Sequence, residues 1–89
     1  FIKSKHYVIH FRENDYGHAR IGISVSKKNG HAVVRNKIRR QIRAIIAKGY
    51  DLNKSLDLII IVRANYVAED FSLNQSELIE NLAKIGEQP

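Results

Sequence analysis

A two-layer α+β sandwich is the fold class this sequence predicts, and three changes of periodicity predict it. Residues 6–12 (HYVIHFR) and 20–26 (RIGISVS) alternate with period two, as half-buried strands do. From Val34 onward the apolar residues recur at helical spacing, and residues 56–63 (LDLIIIVR) then turn almost continuously apolar. A second helical stripe follows, so the order is β-β-α-β-α, with both helices covering one face of the sheet. Its 89 residues make one small domain, residues 1–89, able to bury about 60–65% of its extended-chain surface.

In the first strand Tyr7, Ile9 and Phe11 form the bulkier side and are assigned to the core, opposite His6, Val8 and His10. Asn14, Asp15, Tyr16 and Gly17 are turn formers suited to a hairpin connection. In the second strand Ile21, Ile23 and Val25 face the core. The two strands are expected to pair antiparallel, leaving Val8, His10, Gly22, Ser24 and Ser26 as a shallow floor able to hold a ligand. Lys27, Lys28, Asn29 and Gly30 break the alternation with residues that tolerate positive φ. At 100° per residue Val34, Ile38, Ile42 and Ile45 then share an arc of about 80°, while Arg35, Asn36, Arg39, Arg40 and Arg43 occupy about 140° opposite. Gly49 is the expected stop of this helix. The apolar strand at residues 56–63 reads as covered on both faces or central in the sheet. Before the last helix Leu73, Asn74, Glu77 and Leu78 have the form of a capping box with a hydrophobic staple, Asn74 being the N-cap. Leu78, Ile79, Leu82 and Ile85 supply its core stripe, and Gly86 its end.

Charge is the strongest functional signal. Between Asp15 and Asp51 there is no acid, and nine lysines and arginines give that span +9; residues 1–15 carry +1 and residues 51–89 carry −4, for the net +6. Arg35, Arg39 and Arg43 stand four apart on a helix, where like charges repel. A polyanion relieves that repulsion, so nucleic acid is the first partner class. There is no cysteine, which excludes disulfides and thiolate metal sites. The longest apolar run, residues 58–62, is far short of the ~20 residues of a membrane span. A soluble cytoplasmic protein with no membrane partner is expected.

Reactive chemistry is sparse. His6, His10, His18 and His31 show no metal-ligand spacing, and no paired carboxylates lie near the basic block. Ser24 and Ser26 have no base partner and read as hydrogen-bonding residues beside a groove. His10, on the open strand face, is suited to stacking on a base. No phosphate-cradling G-x-x-x-x-G-K-[ST] loop occurs.

The segment SVSKKNGHAVVRNKIRRQIR resembles the signature of the bacterial ribonuclease P protein component. That family pattern runs S-x-S-K-K, then x-G-x-A-V-x-R-N-[RK]-[IL]-[KR]-R-x-[IL]-R. Ser24, Ser26, Lys27, Lys28, Gly30, Ala32, Val33, Arg35, Asn36, Ile38, Arg39, Arg40, Ile42 and Arg43 fit it without a gap. HYVIHF, LIIIVR and ELIENLAKI resemble the family's first strand, last strand and C-terminal helix. The departures are Lys37 where arginine is usual, His31 where asparagine is common and His10 where an aromatic is frequent. The family also begins with a helix that has no counterpart before Phe1, so the chain is read as an N-terminally truncated domain.

The resemblance implies a left-handed β-α-β crossover, the fold of the second domain of a small-subunit ribosomal protein. Chain chirality alone favours the right-handed one. It also implies a subunit of an endoribonuclease that removes the 5′ leader of precursor tRNA, with the chemistry supplied by a catalytic RNA and its magnesium ions and no catalytic residue in the protein. Lys27, Lys28, Arg35, Asn36, Lys37 and Arg40 would then touch the catalytic RNA. Val8, His10, Ser24, Arg39 and Arg43 would line the surface that takes the single-stranded leader. A general RNA-binding or ribosomal-type protein is the alternative, and would not prefer precursor over mature tRNA. A helix-turn-helix DNA reader lacks its preceding helix here, and a free-standing nuclease lacks its residues.

Overall fold

The computed structural model describes residues 1–86. Its strands are β1 (Ile2–Lys3), β2 (Tyr7–Glu13), β3 (Arg20–Val25) and β4 (Leu56–Val62), and its helices α1 (Ala32–Gly49) and α2 (Phe71–Gly86). A single 3₁₀ turn, Lys27–Asn29, links β3 to α1. The α+β architecture is as the periodicity requires, with β1 added.

The pairing is not the expected hairpin. The sheet order is β1-β2-β4-β3, so β4 lies between β2 and β3, antiparallel to the first and parallel to the second. The most apolar strand takes the centre because a central strand has no solvated edge. Asn14 and Gly17, the latter at φ 75°, do make a turn, but it leads away from β2 instead of back along it.

On the helix side of the sheet Tyr7, Ile9, Val25, Leu58, Ile60 and Val62 are buried against Ile38, Ile42, Ile45 and Ile46 of α1 and Leu78, Leu82 and Ile85 of α2. Val34, expected in that stripe, is 40% exposed, and Ile46 takes its place in the core. Val34 lies instead against Gly30, where an added Cβ would come within 3.1 Å of its side chain. Gly30 has φ 131°, a value open to glycine, and Gly49 ends α1 where a Cβ would press within 3.0 Å of Ile79.

The capping box at Asn74 is also corrected. Helix α2 starts at Phe71, the Asn74 amide bonds the Asp70 carbonyl at 3.0 Å, and Asn74 is 1% exposed, its side chain donating to the Val67 carbonyl at 2.7 Å. Leu73 is 70% exposed and staples nothing. Glu77 does not reach back either. It accepts from the Ser4 hydroxyl at 2.5 Å, the His6 amide at 2.8 Å and His6 Nδ1 at 2.6 Å, tying the segment before β2 onto α2.

Burial pushes the Glu77 carboxyl up, but the bonds from Ser4 and His6 outweigh it and leave it below its ordinary 4.5. A lowered carboxyl adds stability that is complete above its unfolded value and is lost as pH falls through its folded one. Glu77→Gln is therefore expected to cost roughly 1–2 kcal/mol at neutral pH, as loss of hydrogen bonds to a charged group does. Thermal unfolding from pH 7 downward should show the variant and parent converging below pH 4.5. A gap that persists unchanged in acid would show that the charge is not what stabilises the clamp.

Candidate nucleic-acid interface

The strand registers define the face of the sheet turned away from the helices. Three rows cross it from β2 through β4 to β3: Val8, Ile61, Ser24; His10, Ile59, Gly22; and Arg12, Asp57, Arg20. His10, Gly22 and Ser24 are exposed and Ile59 is 51% exposed, so the floor expected from β2 and β3 is open. Its centre is Ile59, which the reading of the first two strands alone could not place. Phe1 lies over the same face, its ring centre 5.4 Å from that of His10.

On the other side of the sheet the cations of α1 form two hollows. Lys27, Lys28, Gly30, His31, Ala32 and Arg35 line the first, around the start of the helix. No acid stands in the first turn and the N-cap, His31, makes no side-chain cap bond, so the amide groups and dipole of the helix end face this hollow without an anion. The Nε of Arg35 is buried with no hydrogen-bond partner among the described residues. A donor left so costs about 1–3 kcal/mol unless something fills it. Helix end, two lysines and an orphaned guanidinium together suit a phosphate group.

The second hollow is lined by Val33, Asn36, Arg39, Arg40 and Arg43, with Arg39 Nη1 donating to Asn36 Oδ1 at 3.2 Å. Arg43 also borders Ile21 and Ile23, the side chains of β3 that face the helices. Arg39 and Arg43 are thus grouped with Asn36 and Arg40, and the sheet separates them from Val8, His10 and Ser24. Lys37 is exposed and lines neither hollow. The helical arc that the sequence shows gives the angle between side chains, not the side of the sheet on which they stand.

At one end of the floor Asp57 accepts two bonds from Arg20 at 2.8 Å and one from Asn14 at 2.9 Å, with Arg12 at 3.7 Å. The Arg20 guanidinium, then Asn14, hold its carboxyl well below the usual carboxylate range. The sequence reading assigned nothing to this group. Its signal was the lone acid inside an otherwise apolar strand.

An α+β sandwich with a single-signed cationic helix and an uncovered sheet face defines a small RNA-binding class of protein. Residues 1–86 match the family model for Ribonuclease P. The chain belongs to the ribonuclease P protein family. It is 44% identical over 80 residues to the ribonuclease P protein component of Mesoplasma florum, covering 88% of this chain and 73% of that one. Against the same component of Mycoplasma mycoides subsp. mycoides SC the identity is 38% over 88 residues, covering 94% and 79%. Among solved structures, the RNase P protein from Thermotoga maritima superposes with a TM-score of 0.81 at 28% identity, covering 93% of this chain and 80% of that one. That from Staphylococcus aureus gives 0.69 at 34%, covering 96% and 78%. No helix among the described residues is long and apolar enough to cross a membrane.

Proposed function

We propose that this chain acts as the RNA-binding subunit of ribonuclease P, helping a catalytic RNA remove the 5′ leader of precursor tRNA. The observation that carries the reading is the cationic hollow at the uncapped start of α1, lined by Lys27, Lys28 and Arg35. A phosphate there would meet the free amides of the helix end and three cations, and a chain of phosphates would continue along Asn36, Arg40, Arg39 and Arg43. This is the surface for the catalytic RNA, and Lys37 lies on the same helix. Val8, His10, Ser24 and Ile59 offer the leader a flat, weakly polar face without a base-reading code, which suits a substrate that varies in sequence.

The chemistry belongs to the RNA. Magnesium ions bound to that RNA would supply the activation of water and the charge to offset the departing oxygen. Among the described residues no three His, Cys, Asp or Glu groups come together in a cluster that could hold a metal ion. The side chains act by placing charge and by holding two RNA segments in register. We place this role in the cytoplasm.

Reconstitution with the catalytic RNA at low magnesium tests this. The chain should speed cleavage of precursor tRNA, and the complex should hold precursor more tightly than mature tRNA. His10→Ala with Ile59→Ala should weaken precursor alone, roughly tenfold if two stacking or apolar contacts are lost. Arg39→Ala with Arg43→Ala should weaken assembly with the catalytic RNA and so affect both tRNAs equally. A loss confined to precursor would return these arginines to the leader path. Equal affinity for the two tRNAs in the unmodified complex would favour a general RNA-binding protein.

A further inference from the structure

Residues 14–19, between β2 and β3, have no part in the function argued above, yet they are held more firmly than an exposed connection needs. Asn14 Oδ1 accepts from the Tyr16 amide at 3.0 Å, while its Nδ2 donates to the His18 carbonyl at 3.2 Å and to Asp57 at 2.9 Å. The Asn14 and Ala19 amides bond the carbonyls of Ser55 and Leu52, at 3.0 and 2.8 Å, so both ends are fastened. What this frame displays is Tyr16, 57% exposed, with the guanidinium carbon of Arg20 4.1 Å from its ring centre. Arg20 is itself fixed by its paired bonds to Asp57. An aromatic ring is therefore held in place with a cation against it and most of its remaining surface in water.

The position is continuous with the open face. The hollow in front of Tyr16 shares Arg12 and Asp57 with the hollow over His10 and Ile59. The row containing Arg20 lies one pleat, about 7 Å, beyond the row containing His10. A strand of RNA crossing the floor would meet Tyr16 next. The charge there differs from that of α1. Arg12 and Arg20 stand among Glu13, Asp15 and Asp57, so the hollow does not favour a phosphate. Asp57 is occupied by Arg20 and Asn14 and Glu13 alternates onto the helix side of β2, whereas Asp15, in the turn, is exposed and suits a ligand with donors.

We infer that Tyr16 and Arg20 form a stacking seat for one unpaired nucleobase of the strand that crosses the open face, and that Asp15 makes guanine the preferred base. A flat base stacks on an aromatic or guanidinium plane whatever its sequence. Of the four bases only guanine presents a ring N–H and an exocyclic amine side by side, the pair that one carboxylate can accept. The inference rests on the reading of the open face as the path of a single strand.

Fluorescence anisotropy of the full chain with labelled hexauridylates, one guanosine being moved through each position, tests it. One register should bind about tenfold more tightly than the all-uridine strand, within the range that a stacked base contributes. Adenosine at that register should gain less. Tyr16→Ala should abolish the gain, Tyr16→Phe should keep it, and Asp15→Asn should make guanosine and adenosine equal. His10→Ala should weaken every strand alike and leave the preference intact. Binding without a preferred register, or a guanosine gain that survives Tyr16→Ala, overturns the seat alone. Failure of every hexamer to bind overturns the open-face path and the seat together.

Discussion

A fourfold rise in monovalent salt is expected to weaken the complex with the catalytic RNA by roughly 10²-fold, on the basis of about five phosphate contacts with a slope of roughly −0.7 to −0.9 each. The lysines and arginines around and along α1 carry this dependence. Each contact releases condensed counterions, so affinity falls linearly in log–log form, and the slope counts the contacts. Arg39→Ala with Arg43→Ala should reduce the slope by roughly 1.5 if both touch phosphate. Titrations of the parent and double variant at four or five salt concentrations give both numbers. A slope near zero in the parent would remove the electrostatic basis of the proposed function. An unchanged slope in the variant would mean that the second hollow is bystander charge. Neither substitution should disturb the fold, because the buried residues of α1 are Ile38, Ile42, Ile45 and Ile46.

Element types were legible because they depend on local periods, and the positions of Tyr7, Ile9, Ile38 and Ile42 in the core followed directly. Pairing was not, because it is decided between segments far apart in the chain. Asn14 and Gly17 are consistent with a turn wherever the chain goes next, and nothing near them says that β4 will enter between β2 and β3. The clue lay in β4, where Leu58, Ile60 and Val62 supply one apolar face and Ile59 and Ile61 another. A strand apolar on both faces belongs between two neighbours.

Asn74 and Glu77 show the same limit. Their spacing fits a capping box, but each finds a stronger partner at long range, Val67 for the first and Ser4 with His6 for the second. Tertiary contacts then set the helix start at Phe71, four residues before the Gln75 that an Asn74 cap implies, and Phe71 packs against the core. For the site, charge and the open floor were legible, since they follow from composition and strand alternation. The side of the sheet on which Arg39 and Arg43 stand was not, since a helical angle has no meaning until the helix is docked.

Adjacent residues of β4 offer the sharpest separation of stability from binding. Ile60 is wholly buried in the core, whereas Ile59, at the centre of the opposite face, is half exposed. Ile60→Ala removes packed methyl groups and leaves a cavity, at a cost of roughly 2–5 kcal/mol. Against a total of about 5–15 kcal/mol for a domain, that is a large fraction. Denaturant unfolding should show it, yet the affinity of the molecules that remain folded should be unchanged, since no floor residue moves. Ile59→Asp has the opposite signature. It removes a half-buried apolar side chain and puts a poor strand former in a central strand, so stability should fall by roughly 1–2 kcal/mol, less than for Ile60→Ala. But it puts an acid in the middle of the floor, where an approaching phosphate chain meets like charge. Affinity for a precursor leader should fall on the order of 10-fold or more, since a single like-charge contact can exceed 1.4 kcal/mol at short range in a partly desolvated interface. Assembly with the catalytic RNA, on the far side of the sheet, should hardly change. If Ile59→Asp leaves leader affinity intact while Ile60→Ala reduces it, the sheet face would be a structural surface and the leader would have to run along α1. The two predictions start from the same residue type on one strand and address its opposite faces, packing on the one and charge on the other.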